Sequence, residues 1–215
     1  MIQIPGGTYS DDPHEYRDEQ GKWIPGLTNT FKLCSMSDFS GADPDDMANA
    51  ARRGTALHEL VEVWNREGDC DPSWITPELD GYFTGYRKFL IDTGFVCDPE
   101  WTERPLIATI RGMRLGMKPD VFGKLRRDKA IVEIKAASSV QATWSVQTGM
   151  QELGIHASNN VGRVRRFALQ LFRDGRYKLH EHVNHQQDEA IGIAALRLVW
   201  WRLEQGQKLW LAAKL

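Results

Sequence analysis

Residues 116–147 read GMKPDVFGKLRRDKAIVEIKAASSVQATWSVQ, and this stretch constrains the fold more than any other. Two apolar runs, VFGKL and AIVEIKA, flank the charged segment Arg126-Arg127-Asp128-Lys129, the pattern of a β-hairpin. With residues 126 and 129 as the last paired positions, Asp120 is expected opposite Lys135 and Phe122 opposite Glu133. Side chains alternate along a strand, so Asp120, Glu133 and Lys135 emerge on one face. Val121, Gly123, Val132 and Ile134 take the other face, as core.

Two carboxylates and an ammonium on one patch of an apolar hairpin are costly to keep together. Neighbouring carboxylates repel and raise one another's pKa, and a divalent cation removes the conflict. Oxygen ligands suit Mg²⁺ or Mn²⁺. The lysine is then left to orient a water or to offset charge on a phosphate, the layout of metal-assisted phosphodiester hydrolysis. Asp, Glu and Lys on a sheet face also occur as a solvated surface with weak ion pairs, so the hairpin alone leaves both readings open.

At 215 residues the chain is expected to form a single domain, 1–215. Within it, 1–33 is an irregular N-terminal hairpin, 46–155 carries the motifs, and 156–215 is a basic region of strands and helix. No apolar run is long enough for a bilayer and no secretory leader is visible, so a cytoplasmic location away from membranes is expected. Three scattered cysteines, Cys34, Cys70 and Cys97, argue against a disulfide framework or zinc ribbon. The net charge of −2 does not advertise a polyanion partner, but its distribution is uneven. Residues 1–155 hold 17 Lys and Arg against 24 Asp and Glu, whereas 156–215 hold 10 against 5. A basic C-terminal third suits phosphates and an acidic remainder suits metal, although chance asymmetry accounts for it equally.

Upstream, Asp45 or Asp46 is expected to cap a helix to about Trp64, with Ala50, Gly54, Leu57, Val61 and Trp64 as a buried stripe. His58 lies beside that stripe. A glycine inside a helix costs about 1 kcal/mol relative to alanine, so Gly54 suggests close approach of another backbone or a ligand. A second helix is expected over 77–94 and one or two strands over 95–110, with Glu100 and Glu103 nearby. Helical spacing returns over 142–154, placing Gln147 and Gln151 one turn apart, and 155–162 reads as a loop. Arg163 to Phe172 and Tyr177 to Val183 are expected as a strand pair. A final helix over 186–205 leaves Trp200, Trp210 and Leu211 as apolar surface, for core packing or a subunit contact.

The order RRGTALHELVE, KPDVFG, IVEIKA, WSVQTGMQ resembles the PD-(D/E)xK nuclease superfamily, in the branch of RecB-like domains and phage-type exonucleases. The IPGLTNT segment is similar to a short entry motif of phage members, and the resemblance covers roughly residues 24–155. It implies an α/β (α+β) fold with a restriction-endonuclease-like core, a mixed central β-sheet flanked by helices. It implies metal ligation by His58, Asp120, Glu133 and the carbonyl of Ile134, catalysis by Lys135, and support of the lysine or the DNA by Gln147. The pattern often ends Gln-x-x-x-Tyr, and here Gln151 stands in the tyrosine's place. Several relatives hold an iron–sulfur cluster on cysteines that mostly follow the active site, and this chain has no cysteine after Cys97, so no cluster is expected.

The resemblance therefore implies a Mg²⁺- or Mn²⁺-dependent DNA exonuclease of phage or bacterial recombination or repair. A structure-specific endonuclease, or a non-cleaving protein that binds nucleic acid or a partner on the same fold, are the alternatives. DNA is the expected partner. A homo-oligomer and a recombination partner protein are compatible with the sequence but not specified by it.

Overall fold

The computed structural model describes residues 1–36, 43–159 and 161–207. Trp210 and Leu211 lie outside the described residues. At the centre is the hairpin of β8 (Val121–Leu125) and β9 (Asp128–Lys135). It belongs to a five-stranded sheet with β10 (Arg165–Leu171), β11 (Tyr177–Glu181) and the short β5 (Val96–Cys97), in the order β11-β10-β9-β8-β5. β9 and β10 run parallel while the other pairs are antiparallel, so the central sheet is mixed, as expected.

The register corrects the expected pairing. Leu125 faces Asp128, Phe122 faces Ile131 and Val121 faces Val132, with Arg126 and Arg127 forming the turn. Arg126 takes the left-handed conformation that such a tight turn requires, with φ 59°. This register sets Val121 against Val132 on one face and Phe122 against Ile131 on the other, whereas the expected one would oppose Phe122 to Glu133. The slip is an even one, so Asp120, Glu133 and Lys135 keep a common face.

Helices cover both faces of the sheet. On one side α2 (Pro44–Glu67) and α3 (Asp80–Thr93) bury Leu57, Leu60, Val61, Phe83, Tyr86 and Phe89 against Val121, Val132, Ile134, Phe167 and Leu169. On the other, α4 (Thr143–Asn159) and α5 (His185–Glu204) pack with α1 (Leu27–Leu33) and with the hairpin of β6 (Leu106–Ile110) and β7 (Met113–Met117) around Phe122 and Ile131. α2 starts at Pro44, with Asp43 accepting the N–H groups of Asp45 and Asp46 as its cap. Ala50 is exposed, so the buried stripe begins only at Leu57. α4 continues to Asn159 through much of the expected loop, because Ile155 is buried in the second core.

The N-terminal region is a four-stranded antiparallel meander rather than one irregular hairpin. Its strands are β1 (Ile2–Ile4), β2 (Gly7–Ser10), β3 (Glu15–Arg17) and β4 (Trp23–Ile24). It docks on β7 where the ring of Tyr16 lies against Gly116; a Cβ there would stand 2.1 Å from that ring, so only glycine fits. The Gly116 N–H also donates to the Pro25 carbonyl at 2.9 Å. This docking places the β2–β3 turn beside the end of the central hairpin.

Candidate active site

A cleft of about 750 Å³ opens at the end of the sheet where β8 has stopped and β9 continues. His58, Asp120, Glu133, Lys135, Gln147 and Gln151 all line it, as do Glu103 and Lys118. The sequence-expected residues thus meet in one place, brought by α2, the segment before β8, β9 and α4.

Strand geometry explains the carboxylate pair. The last backbone pair is Val121↔Val132, so Asp120, at the bend just outside it, lies nearer Glu133 than Lys135. Outside the ladder, the Asp120 carbonyl accepts the Glu103 N–H at 2.9 Å, which ties the two acidic residues together. The carboxylates of Asp120 and Glu133 are both buried, at 5% and 3% exposure. Burial first, and the charge of Glu133 second, push the Asp120 carboxyl well above the usual carboxylate range, against the pull of His58.

The two acids are held differently. Asp120 Oδ2 accepts the backbone N–H of Ile134 at 2.6 Å. Glu133 is gripped by side chains: its Oε1 takes Lys135 Nζ at 3.0 Å and an amide N–H of Gln147, and its Oε2 takes Gln151 Nε2 at 2.7 Å. Lys135 also donates to Gln147 Oε1 at 2.9 Å. Gln147 therefore bridges the lysine and the carboxylate. Gln151, one turn on, completes the hold on Glu133.

His58 stands on the other side of Asp120. Its Nδ1 lies 2.6 Å from Glu103 Oε1 and 3.5 Å from Asp120 Oδ1. Burial disfavours its charge, yet Asp120, the hydrogen bond to Glu103 and Glu133 overcome that and raise the imidazole to about 9. Glu103 in turn is buried, and the hydrogen bond and charge of His58, then Lys118, hold it below the usual range despite that burial. Lys118 Nζ pairs with Glu103 at 3.1 Å and with Asp11 of the β2–β3 turn at 3.3 Å.

One nitrogen and two carboxylate oxygens gathered in this way are donors of the kind that can hold a metal ion. Ligand atoms of His58, Glu103 and Asp120 all lie within 4.8 Å of one another. Neighbouring ligands on an octahedral ion with bonds of about 2.1 Å are separated by about 3 Å, so binding an ion would draw the more separated of these three groups somewhat closer together. Glu152, His185 and Glu189 also cluster, but Arg163 and Arg166 lie against these acids at 2.9–3.8 Å, and the group is a closed ion-pair network.

Glu103 and Lys118 were not singled out by sequence reasoning. Lys118 is adjacent to the Pro-Asp pair, which is a signal in hindsight. Glu103 carries none: it enters the site because the chain turns sharply there, with φ 50°. At Gly54 a Cβ would meet nothing within 4 Å, so no neighbouring backbone demands glycine. The residue instead forms part of the cleft wall beside Thr55 and His58.

No protein-family model matches this chain, and no curated protein matches it. Among solved structures, the chain is similar to a candidate exonuclease from Eubacterium rectale at 9% identity, covering 87% of this chain and 77% of that one, with a TM-score of 0.43. It is similar to an alkaline exonuclease from Laribacter hongkongensis at 15% identity, covering 82% and 91%, with a TM-score of 0.38. A third similar structure, described as SSO0001, shows 10% identity over 92% and 78%, with a TM-score of 0.39.

Proposed function

We propose that this chain is a Mg²⁺- or Mn²⁺-dependent DNA exonuclease of the PD-(D/E)xK superfamily, in its RecB-like or phage-type branch, serving DNA recombination or repair. The observation that carries the proposal is the pair of buried acids Asp120 and Glu133 in one cleft with His58 and Lys135. Buried acids at such close quarters, next to an ammonium and an imidazole, have a chemical use as a divalent-ion pocket.

His58, Asp120, Glu133 and the Ile134 carbonyl would hold the ion, with Glu103 as a further oxygen. Bound there, the ion supplies Lewis-acid polarisation of a scissile phosphate and acidifies water. Lys135 offsets negative charge as the phosphorus becomes five-coordinate, and Gln147 keeps that ammonium from collapsing wholly onto Glu133. The neutral amide shares the lysine without cancelling its charge. Lys118, held by Glu103 and Asp11, adds a second cation on the same wall.

The test is digestion of end-labelled linear DNA and of closed circular DNA by purified protein, with Mg²⁺, with Mn²⁺ and with EDTA. Loss of label from linear DNA in metal, with circles intact, supports the exonuclease. Nicked circles would instead indicate an endonuclease, and no cleavage of either substrate would defeat the proposal.

A further inference from the structure

Gln151 has an atom that the site as described does not use. Its side chain is buried, at 1% exposure, and it lines the cleft floor. The amide nitrogen is committed to Glu133 Oε2 at 2.7 Å. The amide oxygen is buried and has no protein hydrogen-bond partner. Several other buried polar atoms among the described residues share that condition, but Gln151 alone of their residues lines the cleft.

The amide cannot relieve this by turning over. A flip would set Oε1 against Glu133 Oε2, acceptor to acceptor, and lose the donated bond. The carboxylate thus fixes which end of the amide faces Glu133. A buried carbonyl oxygen left without a donor costs roughly 1–3 kcal/mol, so it is normally met by protein or by ordered water. Oε1 has almost no accessible surface, so a bulky group such as a nucleobase does not reach it, and the only donor that could meet it is one the size of a water molecule.

We infer that Gln151 holds a single ordered water at the floor of the cleft, with its nitrogen fixing Glu133 and its oxygen accepting a hydrogen from that water. A water that donates to an amide oxygen keeps its lone pairs for the cleft, which is the orientation a hydrolytic water needs. Gln151 is then a positioning residue. Its oxygen sets where the water sits, and its nitrogen keeps that position in register with the carboxylate. A tyrosine hydroxyl at this position would place its polar atom farther from the backbone. The inference rests on the proposed nuclease reading for its purpose, but not for its structural content.

The test is a crystal structure of the wild-type protein at a resolution that shows ordered water, with single-turnover cleavage and DNA affinity measured in parallel. The expected result is water density within about 2.6–3.2 Å of Gln151 Oε1. Gln151→Met, similar in length and without polar atoms, should lose that water. It should slow the cleavage step at least tenfold while DNA affinity changes less than twofold. A dry site, or Oε1 bonded to a protein donor, overturns the inference. So does a Gln151→Met protein that folds and cleaves at the wild-type rate. If the wild-type protein shows the water but cleaves no DNA, the nuclease reading fails while the assignment of Gln151 stands.

Discussion

The Asp120 carboxylate takes the place of a backbone partner for Ile134, at a bend just past the last pair of the central hairpin, Val121↔Val132. The closing pair of a two-residue turn exchanges backbone bonds, so alternate pairs back from Leu125↔Asp128 do the same as far as Val121↔Val132, and Ile134 is the next alternate residue along β9. Its N–H and C=O therefore both point toward the chain before β8. The N–H is taken by Asp120 at 2.6 Å. Proline at 119 supplies no N–H that could compete for the Ile134 carbonyl.

Pro119→Ala introduces that donor. We expect the fold to be retained and Mn²⁺ affinity to fall on the order of tenfold or more, the scale seen when a supporting partner of a metal site is altered. Titration calorimetry beside circular dichroism checks this. Unchanged affinity would show that the Ile134 carbonyl plays no part.

Lys135 separates charge stabilisation from ion binding. Lys135→Ala should lower single-turnover cleavage on the order of 10²–10³-fold, the usual loss for one such electrostatic group. Mn²⁺ affinity should hold or rise, because the ammonium that pairs with Glu133 at 3.0 Å is gone. Cleavage at the wild-type rate would remove Lys135 from the mechanism.

The metal-free protein should be less stable at alkaline pH. His58 binds its proton more tightly folded, at about 9, than the ordinary imidazole near 6.5. That contribution is complete below about pH 6.5 and is lost as pH rises through about 9, amounting to at most on the order of 3 kcal/mol. Urea unfolding in EDTA from pH 6 to 10 should show the decline, and His58→Gln should flatten it. A flat wild-type profile would contradict the charge assignment around Asp120 and Glu103.

Arg166 anchors α4 over the sheet. It is fully buried on β10, 2.9 Å from Asp188 of α5 and 3.4 Å from Glu152 of α4. Arg166→Met leaves Asp188 without its cation, while Glu152 keeps Arg163 and His185, and should cost about 3–5 kcal/mol in urea unfolding. A loss below about 1 kcal/mol would mean that the acids find other partners.

What the sequence disclosed of this site depended on parity and spacing. The alternation of Asp120, Glu133 and Lys135 survives a register error of two, so the shared face was legible although the partner of Asp120 was not. Deciding the partner required weighing Phe122 against Ile131 across the whole hairpin. Gln147 and Gln151 were legible as one helical face, but their common target, Glu133, depends on how α4 crosses β9. Glu103 was out of reach, since a sharp local turn carries it to His58. The four-stranded N-terminal meander was also missed: its strands have two to four residues each, too short for a periodic signal.

The most direct test of the whole account is Mn²⁺ titration calorimetry on the wild-type protein and on Asp120→Asn. Saturable binding to the wild type is expected, with loss of detectable affinity in the variant while its circular dichroism is unchanged. Equal affinity in the two proteins would contradict it, because the cleft would then be an ion-pair cluster and not a metal site.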